Sequence, residues 1–393
     1  MTTKTRDDHL FGSGPKRILA LDGGGIRGIL TLQFLKRLEE IIRRRTGRAD
    51  AVLSDYFDLV GGTSTGAIIA AALALGWDVD RINGVYRELG ESIFEKRFFR
   101  KGLLRPKFPS EPLREALERE FQDIKLGDPE ALKTGLAIVA KRLDTGSPWV
   151  VHNNPRGKYF DRRPGSSAEP NRNYLVREIV RASTAAPTYF EPESIRVAKG
   201  IEGAFVDGGV SPHNNPSLQL LMLATLSGHA FHWQLGAKQL LLVSMGTGSR
   251  EPALTTKEVM SMKAAELGLR GLASLMDDAS TLNEQILQWL SRSSTARMID
   301  REVGDLSNDV LGDVAPWLTY LRYDALFDGG WLERELGIAF DPEQLESIHE
   351  MDKPENMDTL VQIGQAAAER LIEDRHFPRE FDIGSVQTSV SFL

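Results

Sequence analysis

The chain has 393 residues, 41% of them hydrophobic and 26% charged, and 55 acidic against 48 basic side chains give a formal net charge of -7. That mildly acidic balance lacks the basic excess needed for general phosphate-backbone binding, so no nucleic acid polymer is expected as a partner. With no cysteine at all, disulfides, thiolate zinc sites, iron–sulfur clusters and cysteine nucleophiles are excluded.

The first 16 residues are polar and glycine-containing, with no apolar run of signal-peptide type, and are expected to be a flexible segment. No stretch reaches the ~18 consecutive apolar residues that span a bilayer. The expectation is therefore a cytoplasmic protein.

Residues 18–21 form an apolar run that stops at Asp22-Gly23-Gly24-Gly25, the pattern of a buried strand ended by a glycine turn. Leu30, Phe34, Leu35, Leu38, Ile41 and Ile42 then recur at helical spacing. A second strand is read at residues 56–60, running into Gly61-Gly62-Thr63-Ser64-Thr65-Gly66, and the alanine-rich residues 67–75 read as a helix buried on most sides.

Strand and helix signals continue to alternate. Strands are expected at 136–141, 149–152, 204–206 and 239–243, and helices at 175–182 and 217–226. Such alternation implies an α/β fold, a mainly parallel sheet with helices on both faces. After Met245-Gly246-Thr247-Gly248 the pattern changes, and 256–291 and 341–374 look helical. These signals divide the chain into a flexible segment (1–16), an α/β core (17–250), read as the catalytic domain if the motifs within it carry chemistry, and a mostly helical C-terminal region (251–393) packing on the core.

Gly62-Thr63-Ser64-Thr65-Gly66 fits G-x-S-x-G between an apolar strand and a small-residue helix. A serine on so sharp a turn holds its hydroxyl clear of the sheet, and small neighbours relieve the crowding. The helix that follows directs its positive dipole end at the site where negative charge develops in acyl transfer. Of the seven histidines, His9, His152, His213, His229, His232, His349 and His376, none occupies the late strand-end loop that delivers a hydrolase base; all seven read as structural. Asp207, after the apolar Ala204-Phe205-Val206 and before Gly208-Gly209, is the better candidate for a carboxylate aimed across the sheet edge.

Residues 22–28 offer side-chain-free N–H groups at a helix start, a ready anion site. They also satisfy G-x-G-x-x-G, which leaves a dinucleotide-binding oxidoreductase using NAD or FAD as an alternative. That reading lacks the acidic residue expected at the end of the second strand, which here enters Gly61-Gly62.

In order and spacing these blocks resemble the patatin-like phospholipase family: residues 21–28 its glycine-rich oxyanion loop, 57–66 its nucleophile elbow, Asp207-Gly208-Gly209 its Asp-Gly-Gly box. Ser183, Ala185, Ala186, Pro187, Tyr189 and Phe190 are similar to the segment before that box, and residues 245–248 to a lesser block. The resemblance implies a three-layer fold and a lipid acyl hydrolase that needs no metal or cofactor. It implies a Ser64–Asp207 dyad, with Gly23, Gly24 and Gly25 stabilising the oxyanion and Arg27 either helping to hold that loop or the oxyanion, or lying at the surface. It also implies a phospholipid membrane surface as substrate and peripheral membrane association, and leaves open a cyclic-nucleotide activator and a homo-oligomer. Lys96, Arg97, Arg100, Lys101, Arg105 and Lys107, interleaved with Phe98, Phe99, Leu103, Leu104 and Phe108, read either as a solvated loop whose aromatics pack on the core or as a stretch suited to an anionic headgroup boundary. A catalytically silent membrane-binding module is the remaining alternative.

Overall fold

The structure, a computed structural model, describes residues 4–94, 108–250, 254–299 and 303–383. The basic and aromatic run lies outside the described residues except for Phe108, whose ring packs beside Tyr189 and Phe190.

Helix α1 (Arg6–Phe11) opens the described chain and corrects the expectation of a flexible first segment. Thr5 caps it by accepting from the Asp8 N–H, and the Asp8 carboxylate accepts the Thr5 N–H in return. Leu10 is buried, and the His9 ring meets the Asp58 carboxylate at 2.8 Å. Strand β1 (Lys16–Leu21) and α2 (Gly28–Thr46) follow as the periodicity predicts. The strand expected at 56–60 is shifted: α3 (Leu53–Tyr56) comes first, and β2 (Leu59–Thr63) runs into the glycines. An apolar run alone does not say where helix gives way to strand. Helix α4 (Thr65–Ala74) follows, and residues 66–74 are buried.

Next come α5 (Val79–Phe94), α6 (Glu111–Phe121), β3 (Gly135–Arg142), β4 (Ser147–His152) and α7 (Val176–Ser183). Then β5 (Glu193–Ala198), β6 (Ile201–Asp207), α8 (Ser217–Thr225) and β7 (Leu240–Met245) complete the stretch read as the catalytic domain. Beyond it lie α9 (Thr256–Ser261), α10 (Ala264–Leu290), β8 (Ser291–Arg292) and β9 (Leu318–Tyr323). The last helices are α11 (Gly329–Leu336), α12 (Pro342–Ile348) and α13 (Met357–Leu371).

The sheet order is β5-β6-β3-β2-β1-β7-β9-β8, with β4 on β3. Every pairing from β3 across to β8 is parallel, while the β3–β4, β3–β6 and β5–β6 pairings are antiparallel. Helices do predominate after residue 250, but that region also adds two strands to the sheet, so the boundary expected there cuts through one continuous core. Both faces are covered. In β1, Leu19 and Leu21 enter an apolar cluster with α2, α4 and α13, whereas Ile18 and Ala20 enter one with α8, Leu10 and Leu287. This two-residue alternation is what a sheet sandwiched between helical layers requires.

Candidate active site

Register brings the site together. Thr63 of β2 pairs with Val139 of β3, and Asp207 of β6 pairs with the next residue, Ala140. Ala140 also pairs with Trp149 of β4 on its other edge, so β6 takes over the edge of β3 where β2 leaves it. The residue after Thr63 is Ser64. Two chain positions far apart in sequence thus end as neighbours at the carboxyl ends of parallel strands, where open α/β sheets form their sites.

Ser64 sits on a strained turn, with φ +55° and ψ -126°. The tightness of that turn explains its glycines: a Cβ on Gly62 would lie 2.1 Å from the Gly66 carbonyl oxygen. The Ser64 N–H donates to Ser183 Oγ at 2.9 Å, and that hydroxyl donates to the Val139 carbonyl at 2.6 Å.

Ser64 Oγ donates to Asp207 Oδ2 at 2.5 Å. The other carboxylate oxygen accepts the Gly209 N–H at 2.7 Å, which fixes the plane of the group. Burial pushes the Asp207 carboxyl up to about 6, against the opposing pull of its bonds to Ser64 and Gly209. A carboxyl so tuned is half-ionised near pH 6, mostly ionised at neutral pH, and suited to taking a proton.

No histidine ring hydrogen-bonds to Ser64 or Asp207 among the described residues. His213, on the loop after Asp207-Gly208-Gly209, offers the site only its carbonyl, which accepts the Thr63 hydroxyl at 2.6 Å. Burial holds its imidazole below the usual range.

The glycine loop lies against the elbow, because Leu21 pairs with Gly62 and so sets Gly23 beside Ser64. A Cβ on Gly23 would stand 3.0 Å from Ser64 Cβ. The three loop amides are not equivalent. The Gly23 N–H donates to the Asn214 carbonyl at 3.1 Å and the Gly24 N–H to Thr65 Oγ1 at 3.2 Å. Gly25, at φ +58°, is the loop glycine whose N–H has no partner among the described residues. Its carbonyl accepts the Tyr86 hydroxyl at 2.5 Å. Arg27 is half-buried, with Nε 3.5 Å from the Gly24 carbonyl and its guanidinium 6.0 Å from the centre of the Phe327 ring.

Several participants carried no role in the sequence reading. Thr247 Oγ1 donates to the Gly23 carbonyl at 3.1 Å, which gives the 245–248 block a mechanical purpose. Beneath the loop, the Asp22 carboxylate meets the Arg322 guanidinium at 2.7 Å, and burial, against that attraction, pushes Asp22 up to about 7. A lone arginine between Leu318-Thr319-Tyr320-Leu321 and Tyr323 was the available signal for this partner.

A family model described as patatin-like phospholipase matches residues 19–221, more than half of the chain. The chain belongs to the patatin-like phospholipase family. It is similar to the cGAMP-activated phospholipase of Escherichia coli (strain TW11681), 30% identical over 61% of this chain and 64% of that one. It is also similar to the cGAMP-activated phospholipase of Vibrio cholerae serotype O1, 30% identical over 69% of this chain and 75% of that protein. The match thus spans a little under two thirds of the length of the E. coli relative. Among solved structures, human GIVD cytosolic phospholipase A2 aligns at a TM-score of 0.47 and 10% identity, covering 93% of this chain and 59% of that one.

Proposed function

We propose that this protein is a lipid acyl hydrolase that cleaves fatty-acyl esters of membrane phospholipids through a Ser64–Asp207 dyad, under the control of a cyclic-nucleotide activator. The observation that carries the reading is the 2.5 Å hydrogen bond from the strained Ser64 hydroxyl to a buried carboxylate, beside a glycine loop whose Gly25 N–H has no partner among the described residues.

In the first half-reaction Asp207 takes the Ser64 proton while Oγ attacks the ester carbonyl. The negative charge of the tetrahedral intermediate falls to the Gly25 N–H and to the Thr65 N–H at the start of α4. The Gly24 N–H joins them once the Thr65 hydroxyl turns away. Collapse breaks the ester bond, and the departing lysolipid alkoxide recovers the proton from Asp207. Water then attacks the acyl-serine and gives its proton to Asp207, which returns it to Ser64 Oγ as the acyl–oxygen bond breaks, so that the fatty acid leaves with Ser64 and Asp207 regenerated. Arg27, which ion-pairs with no carboxylate among the described residues, supplies positive charge beside the loop that suits a phosphodiester headgroup.

The names of the two bacterial relatives favour an activator of cyclic dinucleotide type. No helix among the described residues is long and apolar enough to cross a membrane, and the reading has the enzyme approach lipid peripherally. Mass spectrometry of products from mixed phospholipid vesicles, with and without added cyclic dinucleotides, tests it. Free fatty acid and lysophospholipid should appear with the parent and not with Ser64→Ala. Absence of both products under all conditions, together with no fluorophosphonate labelling of Ser64, overturns the proposal.

A further inference from the structure

Strand β9 lies two strands from β1, with β7 between them. Arg322 pairs with Ser244 of β7, yet its side chain continues past that strand to Asp22, the residue that opens the glycine loop. On the way Nη1 donates to Ser244 Oγ at 2.8 Å, while Nη2 serves both Asp22 Oδ2 at 2.7 Å and Asp324 Oδ2 at 3.1 Å. The side chains of Arg322, Asp22, Asp324 and Glu284 are each under a tenth exposed. Asp324 in turn accepts the Gly248 N–H at 2.8 Å, and Glu284 of α10 is gripped by both arms of the Arg297 guanidinium at 2.8 and 3.0 Å. Asp22 therefore does not end its strand freely; it is clamped from the C-terminal part of the chain.

We propose that Arg322 is a positioning residue for the oxyanion loop: by holding Asp22 it fixes the direction in which the Gly23–Gly25 amides point, so that the catalytic apparatus extends well beyond the family-matched residues 19–221. The inference rests on the hydrolase reading above. Only a planar fork can serve Asp22, Asp324 and Ser244 together, which a lysine's single ammonium cannot do. A loop released by even a fraction of an ångström loses the alignment on which transition-state charge stabilisation depends.

The test uses the full chain with Arg322→Lys and Asp22→Asn, each compared with Arg45→Lys, which disturbs a separate ion-pair group at the far end of α2. Hydrolysis of a short p-nitrophenyl ester, the rate of Ser64 phosphonylation, thermal melting and hydrogen exchange of residues 22–28 are measured. In the first two variants kcat and phosphonylation should fall by about 10- to 100-fold with KM nearly unchanged. Exchange in 22–28 should quicken while melting stays cooperative. Arg45→Lys should lower the melting temperature without slowing phosphonylation. The proposal is overturned if both variants fold with parental kcat and exchange, if both fail to fold, or if their losses track melting as in Arg45→Lys. Should the parent itself neither turn over nor label even with added cyclic dinucleotides and phospholipid vesicles, the dyad reading fails, and the exchange of residues 22–28 alone decides the role of Arg322.

Discussion

The Ser64 N–H is bonded to the hydroxyl of Ser183, 119 positions later in the chain, and through it to the backbone of β3. Ser183 is completely buried at the end of α7, so the strained elbow is held from behind by a different element from the one that carries Asp207. Removing this hydroxyl in Ser183→Ala strands the Ser64 N–H and the Val139 carbonyl. A loss of about 1–3 kcal/mol is expected, with lower kcat from a loosened elbow. Urea unfolding and steady-state kinetics check the two effects separately.

Activity should depend on the ionised form of Asp207. A base must be deprotonated to accept the serine proton, so kcat/KM is expected to fall as pH drops through about 6 and to level off above it. A pH–rate profile on a short ester that is flat down to pH 4 would contradict this assignment.

The same raised pKa makes a stability prediction. A carboxyl whose folded pKa lies above its unfolded value favours the fold at low pH, and that contribution is lost as pH rises through about 6. At pH 7–8 the buried charge is a burden. Asp207→Asn should therefore raise the melting temperature at pH 7.5 while lowering kcat by roughly 10²–10⁴-fold. Calorimetry and kinetics on the same preparation read both.

Asp58 behaves in the opposite sense. Burial opposes its ionisation, but Arg17, His9 and Lys16 together hold its carboxyl well below the usual range. A depressed folded pKa gives stability that is complete above the ordinary carboxylate range and lost as pH falls through and below it. Asp58→Ala leaves His9 and Arg17 facing a void, and a loss of about 3–5 kcal/mol is expected at neutral pH. α1 should loosen first, which hydrogen exchange of residues 5–12 would detect.

At the elbow itself, Gly62→Ala sets a methyl group 2.1 Å from a backbone oxygen that cannot step aside. Loss of Ser64 labelling by a fluorophosphonate is expected, accompanied by a fall of about 1–3 kcal/mol in stability. Retention of full labelling would mean that the turn is wider than the structure has it.

The amino-acid sequence alone identified the strand–glycine–helix units, because apolar runs, glycine turns and helical spacing are local signals. It also pointed to Ser64, since the crowding of a strand-to-helix elbow demands small residues immediately beside the serine at its apex. Asp207 was legible only as a strand-end carboxylate before two glycines. That it meets Ser64 follows from the register of β2 and β6 on β3, a relationship between segments that no local pattern encodes. The clamp on Asp22 was less legible still. An arginine in an apolar strand has no visible partner until β9 is set beside β7, and only burial converts it from a surface cation into the brace of a glycine loop. The availability of the loop amides was likewise decided by tertiary contacts: Asn214 and Thr65 occupy two of the three, and nothing in the glycines themselves distinguishes Gly25 from its neighbours. Local chemistry thus specified which residues could react, while strand register and burial decided which of them meet, because contacts between distant segments depend on how the whole sheet assembles.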